Sequence, residues 1–220
     1  MIVPAILANT EKDVTQLLDI SKKSFPFVQL DIMDGQLVPS KSVGGTFFST
    51  YDFGALKLEV HLMVRDPKAW IPFFTSANIT TLIFHLEILQ YYPQTFVYEL
   101  IDLIKKQGKK AGIAINPPTP LETLEPFIKK IDQALFMCVN PGFYGAPFIE
   151  EALDKIRLCR KMHASLHISV DGGVKSANFE KIVSTGVDTV CIGSAIFSTP
   201  DPKASFAEFN KRFEKLRAKI

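Results

Sequence analysis

The segment FVQLDIMDG, residues 27–35, sets an amide and a carboxylate, Gln29 and Asp31, two positions apart. Residues two apart in an extended strand share a face, so both side chains meet the same surroundings. A second aspartate, Asp171, closes the run LHISVD, and a histidine, His61, sits within LEVHLM. Two carboxylates on opposite sides of one carbon can take a proton from one face and return one to the other. Burial and mutual repulsion shift such a pair toward neutral pH. Either aspartate alone could equally cap a βα turn. His61 alone would read as a satisfied core histidine; beside two aspartates it becomes a candidate ligand for a divalent metal. His85 divides evenly between a turn-stabilising hydrogen bond and a substrate contact, while surface or strand-start roles suffice for His163 and His167.

Three glycine turns supply a different chemistry. NPGFYG (Gly142, Phe143, Tyr144, Gly145), DGG (Gly172, Gly173) and GS (Gly193, Ser194) each follow an apolar run. Such turns present backbone N–H groups with no side chain in the way, which suits a phosphate, and SAIFSTP is placed as the short helix that often completes a phosphate site. Tight βα turns alone would also call for these glycines. Ser194 has no suitably placed histidine, which argues against a serine nucleophile.

The elements that must position these residues recur along the chain. Eight apolar, often β-branched runs are present: IVPAIL, FVQLDI, LKLEVHL, TTLIFHL, KAGIAIN, QALFMCVN, LHISVD and VDTVCIG. Helical segments lie between most of them. TEKDVTQLLDISKKS has Thr10 as cap, and DPKAWIPFFTSA has Asp66 as cap with Pro67 at the first helical position. TFVYELIDLIKKQG ends on Gly108, and FIEEALDKIRLCRKM and SANFEKIVSTG repeat the pattern. Alternating strands and helices with right-handed crossovers, eight times over, predict an α/β fold of one kind, a single (β/α)8 TIM barrel spanning residues 1–220 as one domain. A doubly wound open sheet is disfavoured because PAILANT offers no glycine-rich nucleotide turn. In a barrel the chemistry sits at the C-terminal ends of the strands, where Asp31, His61, His85, Asp171 and the glycine turns all fall.

Composition narrows the partners. A formal net charge of +2 argues against a dedicated nucleic-acid binder. Cys138, Cys159 and Cys191 form neither a CxxC pair nor an even disulfide framework, as in a reduced, cytoplasmic protein. The first residues lack a basic segment followed by a long apolar one, and no apolar run reaches bilayer length, so no membrane partner is expected. The NIT at Asn78 is an incidental match to a glycosylation acceptor.

With these motifs in place, the sequence resembles the ribulose-phosphate 3-epimerase family. PAIL, DIMDG..VP, VHLM, NPPTPLE, MCVNPGF.G..FI, VDGGV and GSAIF occur in the family's order and approximate spacing. The resemblance implies a cytoplasmic, metal-assisted isomerase of the pentose phosphate pathway that interconverts D-ribulose 5-phosphate and D-xylulose 5-phosphate by inverting carbon 3. It implies acid/base roles and metal ligation for Asp31 and Asp171, metal ligation for His61, and methionines lining the site at Met33, Met63 and Met137. It also implies a sugar-phosphate substrate, a divalent ion (Zn, Mn, Fe or Mg) and self-association into a homo-oligomer. Two positions depart from the family pattern: Gln29 stands where the family usually has histidine, and Ala5 where it has serine. Gln29 therefore occupies a ligand position, either as an amide-oxygen ligand that favours harder ions than zinc or as a hydrogen-bond partner that orients an aspartate. Two alternatives remain: a 3-epimerase for a related ketose phosphate, such as a six-carbon one, and a sugar-phosphate-binding homologue with weakened or lost catalysis.

Overall fold

A computed structural model describes residues 1–142 and 145–218. Eight parallel strands close on themselves in chain order: β1 (Ile2–Ile6), β2 (Phe27–Met33), β3 (Lys57–Met63), β4 (Ile79–His85), β5 (Lys110–Ile115), β6 (Gln133–Met137), β7 (His167–Asp171) and β8 (Thr189–Ile192). The seam between first and last strands pairs Ile2 with Val190 and Val3 with Cys191. This is the (β/α)8 barrel that the alternating runs predict. Nearly every strand residue is buried, because one face meets the helices and the other meets the opposite wall. On β2 the outward set is Val28, Leu30 and Ile32, which join the large core under the helices, while Gln29, Asp31 and Met33 point inward. Register then aligns Gln29 with Glu59, Asp31 with His61 and Met33 with Met63.

The helices follow their sequence signals with instructive exceptions. Thr10 caps the helix Glu11–Ser24 by accepting from the Asp13 N–H, and the helix Gln94–Lys106 is followed by Gly108 at φ +72°. DPKAWIPFFTSA is not one helix. Asp66 does cap a turn at Pro67–Trp70, but Pro72 converts the next four residues into a 3-10 turn, Ile71–Phe74. The helix expected from Phe148 begins at Ala152, because the Ile149 N–H donates instead to the Cys138 carbonyl at 2.7 Å and ties this segment to the end of β6. Among the described residues no helix is long and apolar enough to cross a membrane.

Inside the barrel the space is filled, not open. Val3, Ala5, Ile83, Ala114, Leu135, Met137, Val139 and Cys191 form an inner cluster. Gly112 on β5 belongs to this packing: a Cβ there would stand 2.8 Å from Ile83 Cγ1 on the neighbouring strand. Overpacking a close-packed core typically costs about 1–3 kcal/mol. Gly112→Ala is expected to lower stability by about that amount, read as a lower urea midpoint with an unchanged denaturant slope; an unaltered midpoint would show that Ile83 yields freely.

Candidate active site

Asp31 and Asp171 emerge from β2 and β7, three strands apart around the barrel, and their carboxylates meet at the floor of the mouth. Gln29 joins them: its Nε2 donates to Asp31 Oδ1 at 2.8 Å and to Asp171 Oδ2 at 2.6 Å. His61 approaches from β3, with Nδ1 3.0 Å from Asp31 Oδ1 and 3.6 Å from Asp171 Oδ2. One donor atom from each of Asp31, His61 and Asp171 lies within 4.8 Å of the others, so the three could hold a metal ion. Gln29 and His61 are fully buried, whereas the two aspartates keep a small opening to the cleft.

Charge explains the local protonation. Burial, then the charge of Asp171, pushes Asp31 up to about 6, against the hydrogen bonds it receives. Burial disfavours the charged form of His61, but hydrogen bonds and attraction to Asp171 and Asp31 prevail and raise it to about 9. The donor set suits a divalent cation: two carboxylate oxygens, one imidazole nitrogen and the Gln29 amide, oxygen-rich and negatively charged. As placed, Gln29 turns its nitrogen to the carboxylates and its Oε1 accepts from the Cys191 thiol at 3.1 Å. Rotating the amide by half a turn exchanges the two ends in the same space, presenting Oε1 as a fourth donor.

A cleft of about 150 Å³ opens above this cluster. Met33, Met63 and Met137 line it, as do Ala5 and the four described glycine-turn residues at its rim on β7 and β8: Gly172, Gly173, Gly193 and Ser194. Gly142 and Gly145 line it too; Phe143 and Tyr144, also expected here, lie outside the described residues. Gly172 has φ +100°, and a Cβ there would stand 2.6 Å from Val139 Cγ2, so the turn admits no side chain. Lys175, two residues past DGG, also lines the cleft, a contributor that strand-end reasoning did not single out.

Behind the cluster lie polar residues whose partners sequence reasoning did not identify. His85, from the end of β4, contacts neither a turn backbone nor the cleft. Its Nε2 lies 2.8 Å from His61 Nε2, and its Nδ1 lies 2.9 Å from Glu87 Oε2. Beneath Gln29, Glu59 accepts from Gln133 Nε2 at 3.2 Å, and Gln133 also donates to Ser169 Oγ at 2.8 Å. The strand parity of Glu59, two residues before His61, was the signal available for it.

Solved structures place this architecture among α/β barrels. 3-Hexulose-6-phosphate synthase from Salmonella typhimurium superposes with a TM-score of 0.71 over 98% of this chain and 99% of that one, at 13% identity. Orotidine 5'-monophosphate decarboxylase from Sulfolobus solfataricus gives 0.68 over 98% of each, also at 13% identity. Fold and site thus define a (β/α)8-barrel protein with an acidic cluster at the C-terminal ends of its strands. The model of the ribulose-phosphate 3 epimerase family matches residues 1–197. The ribulose-phosphate 3-epimerase of Bacillus subtilis is 34% identical over 199 residues, 88% of this chain and 89% of that protein; that of Serratia marcescens is 39% identical over 180 residues, 79% and 83%. The chain belongs to the ribulose-phosphate 3-epimerase family, and is thereby an isomerase of the epimerase type that acts on carbohydrates.

Glu59 yields a pH test of this buried layer. Burial, partly offset by Gln133, pushes it up to about 7 from an ordinary 4.5. A raised carboxyl favours folding below its unfolded value and loses that contribution as pH rises through the folded one. Glu59→Gln stays neutral throughout. Relative to wild type it is therefore expected to gain about 3 kcal/mol between pH 4.5 and 8, measured by urea unfolding of metal-free protein; a difference that stays constant over that range contradicts the assignment.

Proposed function

We propose that the protein interconverts D-ribulose 5-phosphate and D-xylulose 5-phosphate, with Asp31 and Asp171 exchanging protons at carbon 3. The observation that carries this reading is the meeting of the two carboxylates, from separate walls of the barrel, on the single Gln29 amide nitrogen at the cleft floor. Its family membership supports a ketose-phosphate 3-epimerase at the coarser level.

The substrate's phosphate would lie on the backbone amides of Gly172, Gly173, Gly193 and Ser194, with Gly142 and Gly145 across the rim. This sets the sugar chain over the aspartates. In one direction Asp31 as carboxylate removes the carbon 3 proton and Asp171 as acid delivers one to the opposite face of the enediolate; the reverse reaction exchanges the roles. Asp31, at about 6, lies near enough to neutral pH to serve in either state. Met33, Met63 and Met137 give the reacting carbon a polarizable wall that accommodates it on either face. Asp31, His61, Asp171 and the Gln29 oxygen would hold a divalent cation, which supplies positive charge against the negative charge that develops on the substrate oxygens. A sugar-phosphate-binding protein without turnover is the second reading, favoured by the Gln29 amide hydrogens lying between the carboxylates.

An epimerisation assay in deuterated water separates the two: turnover with deuterium entering carbon 3 supports the enzyme, and phosphate-sugar binding without turnover supports the binder. Asp31→Asn and Asp171→Asn are each expected to lower turnover by about 10² to 10⁴-fold or more, the range of general acid–base catalysis. An Asp171→Asn variant that turns over like wild type overturns the mechanism. Restoring an imidazole should also tighten the ion's hold. Gln29→His is expected to raise zinc affinity by about 10-fold or more, measured by competition with a chelator, whereas equal affinities remove position 29 from the ligand set.

A further inference from the structure

Four side chains, three buried and Glu87 largely so, continue the site away from the cleft in one hydrogen-bonded line. Asp31 Oδ1 is 3.0 Å from His61 Nδ1, His61 Nε2 is 2.8 Å from His85 Nε2, and His85 Nδ1 is 2.9 Å from Glu87 Oε2. The imidazole rings are within 19° of parallel and their centroids are 5.0 Å apart. That spacing, with the nitrogens at 2.8 Å, is an edge-to-edge contact in which a single proton lies between the rings. Both histidines are fully buried, so no water offers either an alternative partner.

Which ring carries that proton is settled at the far end. The Glu87 carboxylate only accepts. Its Oε1 receives the Asn116 backbone N–H at 2.9 Å and the Thr119 hydroxyl, leaving Oε2 for His85. His85 Nδ1 therefore carries hydrogen and, in the neutral ring, His85 Nε2 offers a lone pair. His61 Nε2 must then donate, and His61 Nδ1 is the nitrogen that faces Asp31 and Asp171, sharing a proton with them until a cation takes its lone pair and leaves a neutral ring protonated on Nε2.

We propose that Glu87, acting through His85, is a positioning residue that fixes the tautomer of His61 and so keeps its Nδ1 available as a ligand. The inference rests on the reading of Asp31, His61 and Asp171 as a cation site, but the tautomers can be read without any cation or substrate. Glu87→Gln makes a sharp case because a glutamine has one oxygen. The Asn116 N–H is a backbone donor that cannot reverse, so the new carbonyl must face it and the new NH2 must face His85. His85 then moves its proton to Nε2, and His61 can no longer carry hydrogen on its own Nε2, so its only proton sits on Nδ1, where it blocks the ligand position. One amide thus inverts two rings.

The protein has four histidines, so 15N-histidine labelling with long-range 1H–15N correlation resolves the ring nitrogens of each. Wild type with zinc bound, and without it, is expected to show His85 protonated on Nδ1. Glu87→Gln is expected to show His85 protonated on Nε2, and to lose about 10- to 100-fold in zinc affinity. Thr119→Ala, which removes a donor to Glu87 without changing what Glu87 offers His85, should keep the wild-type tautomers and affinity. His85 protonated on Nε2 in wild type overturns the proposal even if Glu87→Gln fails to fold, as does a folded Glu87→Gln with wild-type tautomers. Zinc failing to bind wild type, with His85 still protonated on Nδ1, counts against the cation site and leaves the relay standing.

Discussion

Two carboxylates brought together in a nearly closed barrel mouth impose the constraint on which the rest of the site depends. Each ionised aspartate loses water on burial and repels the other, so the pair persists only with compensating donors or positive charge. The protein supplies both: the Gln29 amide donates to the two carboxylates, and His61 sits against them. The Asp31 shift to about 6 shows that the compensation is incomplete. An incompletely neutralised acidic pair is what a proton-exchange site needs, since a fully satisfied one would be locked in a single state.

This demand propagates outward because each compensating group needs its own partner. His61 leans on His85 and His85 on Glu87, whose carboxylate accepts from the loop after β5 and is held down to about 2: burial works against ionisation, but the hydrogen bonds from His85, Thr119 and Asn116 prevail. Lys155 closes the far side by donating to the Asn116 carbonyl at 3.0 Å and the Pro117 carbonyl at 2.7 Å. The barrel therefore contributes more than a rim on which to hang loops. Its inward-facing residues from β2, β3, β4, β6 and β7 include a connected set of polar side chains beneath the cleft, and a disturbance at Glu87 is transmitted to the cleft through bonds of fixed direction.

Much of this was legible in the sequence, for reasons that mark the boundary of what was not. Strand parity put Gln29 and Asp31 on one face, and the rule that barrel chemistry lies at strand ends selected Asp31, His61 and Asp171. Both are local properties. The contact between His61 and His85 depends on the register of β3 against β4, where His61 pairs with Ile83, and on two side chains leaning toward each other, which no local pattern encodes. Cys191, read as packing, meets Gln29 across the β8–β1 seam, 162 positions away in the chain. DPKAWIPFFTSA was misread as a single helix because its apolar spacing outweighed Pro72, whose missing N–H decides the geometry.

Gln29 ties these observations together because an amide has two unlike ends. Its nitrogen end suits two carboxylates with nothing between them, and its oxygen end suits the same place when a cation is present. The other end always faces Cys191, whose thiol both donates and accepts weakly. A histidine at this position would offer one nitrogen to the site and demand a matched partner behind it. Glutamine can reverse by rotating about one bond, and a thiol imposes little preference on which way it turns. On the proposed reading, glutamine would hold an ion less tightly than histidine while keeping the aspartates oriented in its absence, so that the acid–base geometry and the ligand geometry would be two states of one side chain.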